Sequence, residues 1–468
     1  MRFTLQISIT DDDGQAIVHE DIAVLEKSSA SFEDIGLDLS ESKLVLRSLQ
    51  EKMVHHQVKG HLQQNCQCDK CQKRYKVKGS YTLKYQTLFG DIDIKSPRFH
   101  RCGCEKKKKG ESSTFSPLRA LFKEHVSAER LYLETKWASL FPYGKTVDLF
   151  RDVFPIDEKL NAGSIRNHLL KVAEKTGAEL GEEQYMFIEG CERDWQNLPI
   201  PDGPISVGLD GGYLRDWDNK KTHFEVIAGK SVPEERAMKF FGFVDTYENS
   251  RAKRRLFEML KAQGLQPNQQ IEFFSDGAEN LRNLQHYLSP NSEHYLDWFH
   301  ITMKITVLQQ FIKGITKVDK ENGKILREGL DRVKWNLWHG NTQKALEIAG
   351  ELLWDAEEIP EDIYENLGKF KRLFDEFYSY IKRNSGYIPN YGERRRYDET
   401  ISTSFVESTI NQVVAKRFCK KQQMQWTKKG AHLLLITRTM VINGDLADAF
   451  RKWYPNFGIK EEKLLQAA

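Results

Sequence analysis

Three acidic residues and a cluster of cysteines are the parts of this sequence whose types and spacing can do chemistry. Asp210 closes the apolar run that begins at Ile205 and is followed by Gly211 and Gly212; Asp276 closes the run from Ile271 and is followed by Gly277. An aspartate at the carboxyl end of a buried strand sits at the sheet rim, where open α/β sheets bind ligands. The glycine after it lets backbone or ligand come close. One Asp-Gly pair is ordinarily a turn former; two of them at strand ends in this order ask for another explanation. Two such carboxylates and a third from elsewhere can hold a pair of Mg²⁺ (or Mn²⁺) ions roughly 3.5–4 Å apart for in-line phosphoryl transfer. Glu407 is the candidate third. Ser402 or Thr403 can cap a helix on which Glu407 and Asn411, four apart, share a face. A lone glutamate on a helix is normally solvated, and only the two aspartates raise Glu407 above that reading.

The cysteines offer a second chemistry. Cys66, Cys68 and Cys71 precede two strand-like runs, Lys76 to Tyr85 and Asp91 to Lys95, and Cys102 and Cys104 follow them. Two short knuckles joined by a hairpin supply the four thiolates of a tetrahedral, structural Zn²⁺. The metal replaces a core that so small a module does not build alone. Five cysteines compete for four places; Cys68, Cys71, Cys102 and Cys104 are the expected set, with Cys66 in reserve. Cys191 and Cys419 stand apart and read as packing residues.

The elements that must position these groups follow in order. Residues 1–27 read as a hairpin turning at Asp11–Gly14, and Asp38 with Glu41 forms a capping box ahead of a helix whose apolar face is Leu44, Leu46, Leu49 and Met53. Lys106 to Pro117 reads as a basic linker. From Ser127 to Gly181 the pattern is helical, with Leu131, Leu133, Trp137, Leu140 and Phe141 as one apolar set. The turn at Asn161–Ser164 leads into a helix carrying Arg166, Asn167 and Lys171, the layout of a helix-turn-helix whose second helix enters a DNA major groove. A plain helical bundle meets the same pattern. Between Pro204 and His300, three strands, a helix, a strand, a helix and a strand make a mixed α/β sheet. Residues 301–400 are helical, and Trp335, Trp338, Trp354, Phe370, Phe374 and Phe377 read mostly as core at helical spacing. After Glu407, Lys416, Arg417, Lys420 and Lys421 are suited to phosphate contact, and an apolar helix from Ala431 to Val441 closes the domain.

Composition bounds the rest. A chain of 468 residues is too long for one core. At 40% apolar, 29% charged and a net charge of +3 it is an ordinary globular chain, neither polyacidic nor uniformly basic. No apolar run of about 18 residues occurs, so no membrane helix is expected, and the N-terminus lacks the cleavage site of a signal peptide. A cytoplasmic protein, nucleoid-associated when bound to DNA, is the expectation. Seven cysteines without a secretion signal favour metal binding over disulfides.

At this point the residues resemble a known family. Asp after a strand, Asp after a strand, a long helical insertion and Glu on a helix is the order of the ribonuclease-H-like catalytic domain of DDE transposases. More narrowly, Thr87-Leu88-Phe89-Gly90, Ser96-Pro97-Arg98, the Cys102-x-Cys104 knuckle, Val207 to Gly212, Phe274 to Gly277, Leu296 to His300 and Trp426 to Gly430 resemble the Kra-type bacterial insertion-sequence transposases, over about residues 36 to 455. The resemblance implies Asp210, Asp276 and Glu407 as metal-binding catalytic residues. It implies zinc and helix-turn-helix DNA contacts in the N-terminal half, and Asp297 with His300 as a supporting pair. The third cysteine of the first knuckle departs from the pattern. The implied partners are double-stranded DNA, both the element's terminal inverted repeats and the target, and further copies of the chain in a homodimer or larger synaptic complex.

The expected organisation is therefore a multidomain α/β chain: hairpin and helix over 1–60, zinc-binding β module over 61–110, helix-turn-helix region over 111–200, ribonuclease-H-like core over 201–305, helical insertion over 306–400, and C-terminal core helices carrying Glu407 over 401–468. Two rivals stay open: a zinc-containing, sequence-specific DNA-binding protein with an inactive nuclease-like domain, and a metal-dependent nuclease that cuts without joining.

Overall fold

The computed structural model describes residues 1–10, 16–28, 32–104, 112–180, 192–195, 197–201, 203–233, 237–247, 249–288, 292–402, 411–419 and 425–459. It is a mixed α/β chain that divides into two compact units, Met1–Val172 with Gly444–Ala468, and Ala173–Asn443.

The first unit opens with the antiparallel pair β1 (Arg2–Thr10) and β2 (Ala16–Glu26); the expected turn at Asp11–Gly14 lies outside the described residues. The helix Leu39–Gln64 starts where the capping box placed it: Asp38 accepts from the Glu41 N–H at 2.7 Å and the Glu41 carboxylate accepts from the Asp38 N–H at 2.9 Å. Its buried face is a different one from that expected. Leu44, Leu46 and Met53 are exposed, while Val54 and Val58 pack on the sheet that follows. That sheet is β3 (Val77–Thr87), β4 (Gly90–His100) and β5 (Thr114–Phe115), all antiparallel. In β4, Ile92 and Ile94 alternate inward while Asp93 and Lys95 face out, the period of a half-buried strand. Thr114 and Phe115 thus pair into the sheet and correct the linker reading there, whereas residues 105–111 lie outside the described residues.

Three helices follow, Ala128–Leu140 capped by the Ser127 side chain, Tyr143–Val153, and Ala162–Ala178, whose residues to Val172 belong to this unit. Leu131, Phe150, Ile165 and Leu169 fill their core, but Phe141 is exposed, and Trp137 instead packs edge-on against Phe150 at 4.8 Å. A buried charge network ties these helices to the sheet. Arg130 and Glu134, 1% and 0% exposed, pair at 2.8 Å; Arg130 also bonds Asp91 of β4 at 2.6 Å, and Glu134 bonds His168. The C-terminal helix Leu446–Trp453 brings Phe450 against Tyr132, ring centres 5.4 Å apart.

The second unit is built on five strands, β6 (Ile205–Arg215), β7 (His223–Val232), β8 (Lys239–Val244), β9 (Ile271–Ser275) and β10 (Glu293–Leu296), in spatial order β10-β9-β6-β7-β8. The first three form an antiparallel meander; β9 pairs parallel with β6, and β10 parallel with β9. Helices Asn249–Ala262 and Glu279–Leu288 supply Leu256, Leu260, Leu281 and Leu284 to a core with Val207, Phe241 and Phe273. Helix Lys428–Ile442, capped by Thr427, lies against β8: Asn443 bonds both the N–H and the carbonyl of Phe240.

Four long helices, Trp298–Val318, Lys320–Trp338, Thr342–Glu358 and Leu367–Arg383, make a separate apolar core within this unit, in which Phe370, Phe374 and Phe377 are buried as expected. Trp335 and Trp354 are corrections: they are 65% and 71% exposed, one stacked edge-on against His339 and the other donating to Glu358.

Candidate active site and metal centre

Asp210 does not end its strand. β6 runs on to Arg215, and Asp210 pairs with Ala228 of β7. What ends near Asp210 is the parallel ladder to β9, whose last pair is Gly208 with Phe274. Asp210 and Asp276 each follow two residues after that pair, and the Asp276 charge acts on the Asp210 carboxyl. On the other side of β9, the last pair is Ser275 with Leu296, so Asp297 comes next to Asp276 in turn. Asp276 and Asp297 thus follow the carboxyl ends of β9 and β10, and Asp210 lies within β6 just past the point where its parallel pairing with β9 stops, the edge of a sheet at which open α/β folds take ligands.

Each carboxylate is held by local backbone. Asp210 accepts from the Gly211 N–H at 2.8 Å and Asp276 from the Ala278 N–H at 3.0 Å. Gly277 has φ +88°, and a Cβ there would stand 2.5 Å from Asn384 Oδ1 and 2.8 Å from Leu296 Cδ1, so the turn after Asp276 admits only glycine. Asp297 is fully buried and caps helix Trp298–Val318 through the Phe299 N–H at 2.8 Å, while its other oxygen meets His300 Nδ1 at 3.0 Å. The expected supporting pair is thus formed.

The charges of these aspartates are felt at Asp210 and at His300. Burial pushes the Asp210 carboxyl up to about 6; His300 and the Gly211 N–H act against that shift, and the Asp276 and Asp297 charges add to it. For His300, burial works to lower the pKa, but the hydrogen bond and charge of Asp297, with the charges of Asp210 and Asp276, outweigh it and the net shift is upward.

Two neighbours carried no signal in the sequence. Glu225 of β7 is pushed up by burial, accepts from Asn280 at 2.8 Å, and feels Asp245 and Asp276. Only the antiparallel register, which sets it opposite Tyr213, brings it there. Tyr380, from the helical insertion, is buried with a hydroxyl that makes no hydrogen bond among the described residues; burial and the Asp276 and Asp297 charges raise it far above the usual phenol range. Glu407 lies outside the described residues, as do Lys420 and Lys421. Asn411 opens a π-helical segment, Asn411–Cys419, on which Lys416 is exposed. Arg417 is a correction: it is buried, with its guanidinium 5.4 Å from the centre of the Trp426 ring, and is not placed for phosphate contact. In the first unit, Arg166, Asn167 and Lys171 all lie exposed on helix Ala162–Ala178, and Lys171 pairs with Glu124 at 3.4 Å.

The cysteines do converge. Cys68, Cys71, Cys102 and Cys104 have all four sulfurs within 4.8 Å of one another, with Cys71–Cys102 at 3.6 Å and Cys102–Cys104 at 3.5 Å. Thiolates about 2.3 Å from a tetrahedral zinc stand nearly this far apart, so the set could hold a metal ion such as zinc. Cys66 instead points back to the helix end, its sulfur 3.2 Å from the Gln63 carbonyl, which settles the five-for-four competition against it. Hydrogen bonds from Cys104, then Cys71, pull the Cys102 thiol down to about 7, and those of Cys104 with Cys102, then Cys71, push Cys104 up to about 12. Among the described residues this is the one group of three or more ligand atoms so closely gathered.

Comparison with models of known protein families and with curated proteins gives no match. Among the described residues, no helix is long and apolar enough to cross a membrane.

Proposed function

We propose that this protein is a DDE-type transposase that cuts and joins DNA at the ends of its mobile element, using Asp210, Asp276 and Glu407 on a ribonuclease-H-like core. The observation that carries the reading is the parallel register of β6 and β9, whose last pair, Gly208 with Phe274, lies two residues before both Asp210 and Asp276. The meander followed by two parallel strands, and the helical insertion between the Asp276 and Glu407 positions, support it as the arrangement that family requires.

The rim suits a hard divalent cation such as Mg²⁺. Asp210 and Asp276 offer carboxylate oxygens, and the buried Tyr380 hydroxyl lies close enough to Asp276 to feel its charge and has no protein partner among the described residues. When bound there, the metal supplies a bound water of lowered pKa and neutralises charge developing on a phosphate. Asp210 and Asp276 would hold it, with Glu407 as the third carboxylate. Asp297 fixes the orientation of His300 and the start of the insertion helix, and Gly277 keeps the turn after Asp276 tight. The cysteine module would provide a zinc-held platform in the same unit as the exposed Arg166 and Asn167, which would contact the DNA.

Purified protein incubated with Mg²⁺ and duplexes carrying the sequences that flank its gene provides the test. Strand cleavage at one inverted repeat, followed by covalent joining of that 3′ end to a second duplex, is expected. Cleavage without joining would leave a nuclease; tight, specific binding without cleavage would leave a DNA-binding protein.

A further inference from the structure

We propose a second DNA-binding site, in a groove on the β3–β4–β5 sheet of the cysteine module, where Arg98, Arg101 and Arg119 take successive phosphates of a duplex backbone. The groove has a volume of about 650 Å³ and is bounded by these three arginines with Tyr81, Thr114 and Phe115 among others; no acidic residue is among the described residues that line it. Surface arginines are commonly paired with carboxylates, yet Arg98 and Arg119 have no acidic partner among the described residues. Neutral groups are among those that position two of the guanidiniums. Arg98 donates to Thr114 Oγ1 at 3.0 Å, and Arg101 donates to the Ser112 carbonyl at 3.2 Å with its guanidinium 5.3 Å from the centre of the Phe115 ring. Such partners orient a cation without cancelling its charge, the preparation for bidentate phosphate binding.

The size of the groove selects the ligand class. Its volume is that of a site for an extended ligand, beyond a single inorganic ion, and three separated guanidiniums match a chain of phosphates better than one. Tyr81, 42% exposed at the wall, offers an aromatic edge to a sugar. None of these residues belongs to the helix carrying Arg166, Asn167 and Lys171. The site rests on the transposase reading only for the choice of DNA as the polyanion, and its test needs no catalysis.

Full-length protein is titrated against a fluorescein-labelled duplex of about 30 base pairs at several salt concentrations, and the slope of log affinity against log salt is taken, each phosphate contact contributing roughly 0.9. The Arg98→Gln/Arg119→Gln double variant is expected to bind about tenfold more weakly at roughly 150 mM salt and to flatten the slope by about 2. Metal content and melting temperature equal to wild type establish its fold. Should the double variant not fold, Arg119→Gln alone, on an exposed side chain, is expected to flatten the slope by about 1. A folded variant with wild-type affinity and slope overturns the site. So does a variant that keeps its DNA affinity while losing binding to phosphatidylglycerol vesicles, which would make the groove a lipid site. Wild-type protein that binds DNA through this groove but never cuts it would leave the groove standing and remove the catalytic reading instead.

Discussion

Asp210 and Asp276 each lie two residues beyond the last parallel ladder pair, Gly208 with Phe274, and the charge of Asp276 is felt at Asp210. Neither residue needs the other for its own backbone contacts, since each accepts from an N–H within two positions of itself. Two carboxylates held side by side at a half-buried rim repel one another, and a fold keeps such a pair at a cost unless something positive sits between them. His300 acts against the upward shift of Asp210, and a bound cation would offset the repulsion further.

The turn after Asp276 is the most sensitive point of this arrangement. Gly277→Ala places a Cβ against Asn384 and Leu296 at a positive φ and is expected to cost about 1–3 kcal/mol of stability. It should also displace Asp276 and lower any cleavage activity more than tenfold. Gly211→Ala meets only the far end of the Glu225 side chain, 2.5 Å away, and should be milder on both counts. Urea denaturation alongside a cleavage assay compares the two.

The cysteine assignment makes a sharper contrast. Cys71→Ser or Cys102→Ser should lose the bound metal, seen as a fall from about one zinc per chain to near none by mass spectrometry, with a lower melting temperature. Cys66→Ser should keep both at wild-type values, because that sulfur faces the Gln63 carbonyl. Loss of zinc from Cys66→Ser would show the ligand set to be wrong.

Much of this was legible in the sequence. The capping box at Asp38, the two cysteine knuckles, the order of the five core strands and the Asp297–His300 pair all follow from local chemistry or short spacing, and all appear. What was not legible depends on tertiary register or on competition between faces. Glu225 reaches the rim only through the β6–β7 ladder and Tyr380 only through the packing of the insertion, and neither sits in a motif. Leu44, Leu46 and Met53 lose to Val54 and Val58 because the sheet meets the helix nearer its C-terminal half. The basic run after Asn411 concealed that Arg417 turns inward beside Trp426.

The Arg130–Glu134 network offers a stability prediction in the first unit. Glu134→Ala takes from Arg130, 1% exposed, one of its two buried carboxylate partners and is expected to destabilise by about 3–5 kcal/mol. Replacing Lys145, whose pair with Asp148 is exposed, should change stability by less than about 1 kcal/mol. Chemical denaturation monitored by tryptophan fluorescence separates the two.

His432 is expected to make the second unit acid-sensitive. It is 2% exposed, accepts from the Val244 N–H at 3.3 Å, and faces Arg255 and the Tyr247 ring. Burial, with the Arg255 charge, lowers its pKa to about 3, against about 6.5 when unfolded. The unfolded chain therefore takes up a proton first as pH falls. The stability contribution is complete above about 6.5 and is lost progressively down to about 3, by roughly 2 kcal/mol between pH 7.5 and 5. His432→Gln should flatten this part of the urea-midpoint profile against pH; an unchanged profile would assign the acid sensitivity to other groups.

The most direct test of the central claim is DNA strand cleavage by Asp210→Asn, measured beside wild type with the same end-sequence duplex in Mg²⁺. Removing the charge while keeping the shape should lower the cleavage rate by at least on the order of a hundredfold, with DNA affinity within about twofold of wild type and zinc content unchanged. An Asp210→Asn protein that cuts at the wild-type rate would contradict the account.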